Sequence, residues 1–388
     1  MAFERTYRLG DSGPAVAEIR SKLAVVGLLA GEPPAPAATS APFDADTDRA
    51  VRAFQQQRGI AVDGIVGPAT YHALDEARWR LGDRILFYVP ARLMAGDDVA
   101  ALQQRLLDMG FDCGRVDGLF GVETEQSLRE FQRNVGVRAD GTCGPATFKA
   151  LSQLARTVVG GLPHAMRESE AINRAGPTLS GKLVIVDPGH GGTDPGVLAH
   201  RLDEGDLVYD LASRVEGRLT ATGSSAFLTR GPDGGARESP SETDRAGFAN
   251  AAGADLLISL HVEAHPNPLA SGVATYYYGN DRYGHYSAVG ARFAGLVQRE
   301  ICARTDLVDC RTHPVTGDLL RRTRMPAVRI EVGYLTNPGD AARLADPAFR
   351  DVVAEAVVAA VQRLYLPPDQ DAQTGFLRIP ELRADSRG

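Results

Sequence analysis

The sequence predicts an α/β domain, a largely parallel sheet flanked by helices, preceded by two small all-α three-helix modules. Three observations lead there. A residue pattern within positions 1–80 recurs once, 77 positions later. From Lys182 onward, short apolar runs alternate with helical patterns. Between these regions lies a stretch broken by Gly160-Gly161, Pro163 and Gly176-Pro177.

Composition sets the outer limits. With 388 residues, 44% of them hydrophobic, the chain can bury several cores, which excludes wholesale disorder. A net charge of −7, from 42 basic and 49 acidic residues, gives no broad electrostatic footprint for nucleic acid. Four cysteines are too few for a disulfide-built scaffold. Cys113 with Cys143 and Cys302 with Cys310 are conceivable pairs, and thiols are expected. No run approaches the roughly 18 apolar residues that a transmembrane helix needs.

The repeat defines the first two domains, placed at 1–80 and 84–155. Phe54-Gln55 returns as Phe131-Gln132, Asp63-Gly64 as Asp140-Gly141, and Gly67-Pro68-x-Thr70 as Gly144-Pro145-x-Thr147. Upstream the offset grows to 83, so the first copy carries extra residues in the Pro- and Ala-rich stretch Glu32–Pro42. In each copy one helix shows helical apolar spacing, as at Val99, Leu102, Leu106 and Leu107. A second runs from about Thr124 to Val135 and buries Leu128 and Phe131. A third starts near Pro145, where proline suits a first helical turn.

Residues 156–180 read as a linker with a short polar helix around His164–Ala175. The α/β domain is placed at 181–366. Its strands are expected at 183–186, 226–229, 255–260, 273–278 and 327–332, and its helices at 207–221, 242–251, 287–303 and 349–366. Pro367-Pro368 stops the last helix, and 367–388 reads as a polar tail.

Four residues carry chemistry. His190 follows the first strand, in Val186-Asp-Pro-Gly-His-Gly-Gly192, where glycines let the backbone turn at a strand end. Glu204 is expected in the loop before the Leu207 helix, His261 ends a strand, and Glu331 lies inside another. A carboxylate within an apolar strand is costly unless it has a role. Two imidazoles and a carboxylate with an open fourth position suit a catalytic zinc ion, which activates water and polarises a carbonyl. Separations of 14, 57 and 70 positions do not by themselves establish that these residues meet.

Residues 182–366 resemble the zinc-dependent N-acetylmuramoyl-L-alanine amidases of the amidase-3 type. The resemblance rests on Val-Asp-Pro-Gly-His-Gly-Gly-x-Asp-Pro-Gly (186–196), Glu204-x-Asp206, Leu-Thr-Arg (228–230), Arg245-x-x-x-x-Asn250, Ser-Leu-His (259–261) and Pro326-Ala-Val-x-x-Glu-Val-Gly-Tyr-Leu-Thr-Asn337. It implies zinc held by His190, Glu204 and His261, Glu331 as the catalytic carboxylate, and hydrolysis of the amide between muramic acid and L-alanine in peptidoglycan or muropeptides. Arg245, Asn250, Glu263 and Arg324 are candidates for substrate binding. Glu263 stands where the family usually has asparagine.

The repeats resemble peptidoglycan-binding modules through Leu9-Gly10-Asp11-x-Gly13, the Thr-x-x-Ala/Ser-Val/Leu-x-x-Phe-Gln helix and the Asp-Gly-x-x-Gly-Pro-x-Thr turn. Protein docking or a spacer role is the alternative use. The second copy lacks the opening Gly-Asp-x-Gly and reads Met94-Ala-Gly-Asp-Asp98, and Arg20 of the first copy stands where the second has Gln103.

The first residues have no basic segment followed by an apolar run, so a cytoplasmic location is expected. Export to the cell wall by an unconventional route is the alternative. The domain order also resembles an actinobacterial group associated with control of peptidoglycan precursor synthesis. That resemblance implies UDP-N-acetylglucosamine enolpyruvyl transferase as a partner. Thr374, the tail's only threonine, is then the phosphorylation candidate, and a phosphothreonine-binding partner would read it.

Overall fold

The computed structural model describes residues 5–29, 41–154, 163–232, 239–280 and 285–366. The chain divides into two compact units, one holding the helical modules and one, from Arg167, the α/β domain.

In the first module α1 (Pro14–Val25), α2 (Ala45–Arg58) and α3 (Pro68–Ala77) enclose Val16, Ile19, Leu23, Phe43, Val51, Phe54 and Leu74. In the second, α4 (Asp97–Asp108), α5 (Val122–Val135) and α6 (Pro145–Leu154) enclose Leu102, Leu106, Phe120, Leu128, Phe131 and Leu151. The repeated Phe-Gln divides its labour. The phenylalanine fills the core, and the buried glutamine fastens the Asp-Gly turn. Gln132 Nε2 donates to Asp140 Oδ1 (3.1 Å), Thr142 O (3.0 Å) and Thr147 Oγ1 (3.0 Å), while its Oε1 accepts from Gly141 N at 2.9 Å. Gln55 repeats the set on Asp63, Ile65, Thr70 and Gly64.

Gln103 makes a third copy on Asp117, Leu119, Thr124 and Gly118. Arg20, its counterpart, instead pairs with Asp44 at 2.8 Å and donates to Thr47. The altered opening of the second module is explained by its partners. Asp97 takes a bidentate pair from Arg58 (2.9 and 2.7 Å), and Asp98 takes Arg84 (2.6 and 3.0 Å). All four cysteines are free thiols.

The α/β domain is built on β1 (Leu183–Pro188), β2 (Ser225–Leu228), β3 (Leu256–Glu263), β4 (Val273–Asn280), β5 (Asp309–Val315) and β6 (Ala327–Tyr334). Their order is β5-β4-β6-β3-β1-β2, with residues 285–286 pairing on β4. Four of these five pairings are parallel, but β4 runs antiparallel to β6, so the sheet is mixed. The reversal follows from the short connection 264–272, which cannot hold the crossover that a parallel return requires. The sequence reading missed β5, a polar edge strand containing Pro314, which an edge tolerates.

Period-two alternation sends β1 side chains to opposite faces. Val184 and Val186 join Leu211, Val215, Val357 and Val361 of α8 (Glu204–Ala221) and α12 (Pro347–Tyr365) on one side. Ile185 joins Ala246, Ala249, Leu319 and Leu320 of α9 (Glu242–Ala252) and α11 (Asp318–Arg322) on the other. α10 (Ala288–Arg304) completes the first face through Phe293 and Val297.

The segment read as a linker holds α7 (Pro163–Arg174) and belongs in part to this domain. Ile172 and Leu179 are buried in its core, and Glu168 accepts from Ser287 Oγ (2.7 Å) and Val289 N (3.1 Å), capping α10. Among the described residues no helix is long and apolar enough to cross a membrane. Thr374 and the tail lie outside the described residues.

Candidate metal and catalytic site

The site lies at the carboxyl ends of β1, β3 and β6, where open α/β sheets gather their ligands. Asp187, the last but one residue of β1, is fully buried. Burial alone would raise its pKa. The Arg245 guanidinium, with Thr229 and Ser259 donating, outweighs burial and holds the carboxyl below the usual range. Arg245 also donates to Pro188 O and His190 O, both at 2.7 Å, and to Pro240 O at 2.8 Å. Arg230 donates to Pro188 O (3.1 Å), Gly189 O (3.2 Å) and Gly205 O (2.7 Å). The turn after β1 is thus held by two arginines through its carbonyls.

That turn carries strain where the chemistry is. His190 sits at φ 55°, in the left-handed region that non-glycine residues rarely occupy. Gly189 is obligatory for space, because a Cβ there would come within 2.1 Å of His261 Cε1. At Gly196 a Cβ would meet Glu204 Oε2 at 2.5 Å and His190 Cδ2 at 2.8 Å.

Glu204 is the first residue of α8 rather than part of a loop, and it is 1% exposed. Its Oε2 accepts from Val197 N (2.9 Å) and its Oε1 from Val262 N (3.0 Å). Oε1 also lies 3.3 Å from His190 Nε2 and 3.2 Å from His261 Nδ1. Burial opposes ionisation of Glu204, but the two imidazoles prevail and keep its pKa far below the ordinary value. For His190, burial disfavours the cation, yet Glu204 and Asp194 push its pKa up to about 9. Asp194 Oδ2 stands 2.8 Å from His190 Nδ1, which orients the ring and turns Nε2 toward Glu204.

Ligand atoms of His190, Glu204 and His261 all lie within 4.8 Å of one another. Among the described residues this is the one group of its kind, and His200 and His265 stand outside it. The donor set is the His₂-carboxylate type that leaves a catalytic zinc ion an open position. The fit is specific, since a Cβ on Gly189 or Gly196 would fill the space these ligands occupy. Glu331 pairs in register with His261 across β6 and β3 and is 4% exposed. Its Oε1 accepts from Arg329 Nε at 2.7 Å, and its Oε2 is buried without a hydrogen-bond partner among the described residues.

The substrate-binding candidates take different places. Arg245 is 4% exposed and its nitrogens are committed to the turn, so it shapes the site from behind. Asn250 bridges backbone, donating to Arg322 O and accepting from Arg324 N, both at 2.8 Å. Arg324 is exposed and is not part of the cleft wall. Glu263 accepts from its neighbour Ala264 N at 3.0 Å. Burial, then the Glu331 charge, pushes its pKa up.

Asp194, Arg230 and Arg329 were given no part by the sequence reading. The first two stood in quoted motifs, and a signal for Arg329 was its place two residues before Glu331. A cleft of about 530 Å³ adjoins the ligands and is lined by Thr193, Asp194, Ser241, Glu242, Leu319 and Arg329, among others.

Comparison with known proteins gives the chain its family. The family described as N-acetylmuramoyl-L-alanine amidase matches residues 184–363, and a peptidoglycan binding domain family matches 12–74 and 95–151. The N-acetylmuramoyl-L-alanine amidase CwlM of Mycobacterium tuberculosis is 48% identical over 385 residues, 97% of this chain and 94% of that protein. The germination-specific N-acetylmuramoyl-L-alanine amidase of Bacillus subtilis is 31% identical over 198 residues, 48% of this chain and 81% of its own. Among solved structures, N-acetylmuramoyl-L-alanine amidase AmiC2 of Nostoc punctiforme is 29% identical, with a TM-score of 0.43, and covers 48% of this chain and 99% of its own.

Proposed function

The chain belongs to the N-acetylmuramoyl-L-alanine amidase family, and on that premise we propose that it is a zinc-dependent hydrolase of the muramoyl–L-alanine amide in peptidoglycan or its fragments. The observation that carries the proposal is the meeting of His190, Glu204 and His261 beside Glu331, from four separate stretches of chain. His190, Glu204 and His261 would hold the zinc. Bound there, it supplies a Lewis acid that lowers the pKa of water and polarises the amide carbonyl.

The chain's own groups do the rest. Glu331 takes the proton of the attacking water and delivers it to the leaving amine nitrogen. Asp194 fixes the His190 ring, and Arg245 and Arg230 hold the turn that presents it. The helical modules would keep the enzyme on the polymer.

The test is release of stem peptide from purified peptidoglycan by zinc-loaded protein, with Glu331→Ala as control. Release that disappears in the variant supports the proposal. No release from protein shown to carry one zinc per chain would refute it.

A further inference from the structure

We infer that Arg329 is a positioning residue for Glu331: it fixes one carboxylate oxygen so that the other is presented for proton transfer. The inference rests on the amidase reading and adds a residue that the reading does not require.

Arg329 and Glu331 are two apart on β6 and therefore project from the same face. Nε of Arg329 donates to Glu331 Oε1 at 2.7 Å. Its Nη1 lies 3.5 Å from Glu242 Oε1, so the guanidinium is anchored between two carboxylates. Glu242 is itself tied down, since its Oε2 accepts from Leu319 N at 3.1 Å. Burial weakens the charged form of Arg329, but Glu331 and Glu242 more than restore it, so its pKa is raised.

Both Arg329 and Arg245 line the cleft, and only Arg245 is committed to backbone carbonyls behind it. The terminal torsion of a glutamate is broad, and a lone carboxylate exchanges its two oxygens freely. One charge-assisted bond to Oε1 removes that freedom. What remains is Oε2, buried and without a donor among the described residues. An unsatisfied buried acceptor costs free energy and is retained where an incoming group completes it. In the reaction that group is the attacking water. Its oxygen bonds to the carbonyl carbon, its proton passes to Oε2, and the proton moves on to the amine nitrogen as the C–N bond breaks. The carboxylate ends as it began.

The experiment compares Arg329→Met with wild type at equal zinc content. The expected result is a fall in kcat of roughly 10- to 100-fold with KM little changed. Arg329→Lys, which keeps a cation within reach of Oε1, should recover most of that loss. In a Glu331→Gln background, Arg329→Met should cost nothing further, because it acts through the missing carboxylate.

A crystal structure of Arg329→Met should show the Glu331 carboxylate rotated from its wild-type position. A rise in KM with kcat unchanged would mean that Arg329 grips substrate instead. That result, an additive loss in the Glu331→Gln background, a lysine variant no better than methionine, or an unmoved Glu331 would overturn the inference. If wild-type protein releases no peptide at all, the amidase reading fails on its own, and the crystal structures still decide whether Arg329 positions Glu331.

Discussion

The helical modules and the α/β domain both have to fix a tight glycine-containing turn, and they use different side chains to do it. In the modules, a buried glutamine amide donates to an aspartate and a carbonyl and accepts from the glycine N–H. The set is neutral on the amide side and closed. In the α/β domain, two arginines hold the turn chiefly through its backbone carbonyls, and one of them, Arg245, is balanced by the buried Asp187. There His190 is held in a left-handed conformation, and among the described residues Glu331 keeps an unpartnered oxygen. Where a turn serves the fold, the buried glutamine finds partners for both its donor and its acceptor within the module. Where it serves chemistry, His190 Nε2 and His261 Nδ1 gather on the buried Glu204 carboxylate, and Glu331 Oε2 has no hydrogen-bond partner among the described residues.

The contrast can be broken most forcefully at Arg245. Arg245→Met strips a fully buried Asp187 of its counter-charge, and the loss should be roughly 3–5 kcal/mol, confined to the α/β domain. Chemical denaturation followed by hydrogen exchange would check it. Equal loss of protection in the helical modules would mean that the two regions are not separately stabilised.

At the modules, Gln132→Ala leaves Asp140 and Gly141 N without their partner, at a cost of about 1–3 kcal/mol. Zinc content and peptide release from soluble muropeptides should stay at wild-type levels, and a drop in either would blur the comparison. The smallest effect is expected from Arg20→Gln, which puts the amide found at Gln103 into the first module. The Arg20–Asp44 pair is partly exposed, so the change should lie within about 1 kcal/mol by thermal unfolding.

What the sequence made legible follows the same division. His190, Glu204, His261 and Glu331 could be named because each stands in a dense local motif, and charged residues in apolar strands stand out. Arg245 and Asn250 were legible as important but not in their role. A helical arginine looks the same in sequence whether it faces substrate or, as here, three backbone carbonyls. β5 was hidden because it is polar and carries a proline, and the reversal of β4 within a largely parallel sheet because strand direction depends on tertiary placement. The core role of Ile172 was hidden in a short helix with a polar composition. The glutamine networks could be suspected only because Phe-Gln and Asp-Gly recur together; that one binds the other is a fact of three dimensions.

The most direct test of the site is anomalous scattering at the zinc edge from crystals of zinc-loaded protein. One peak bound by His190, Glu204 and His261, with Glu331 Oε2 facing its open side, is the expected result. Zinc bound elsewhere, or no peak between these three residues in fully loaded protein, would contradict the assignment of this site as the centre of an amidase.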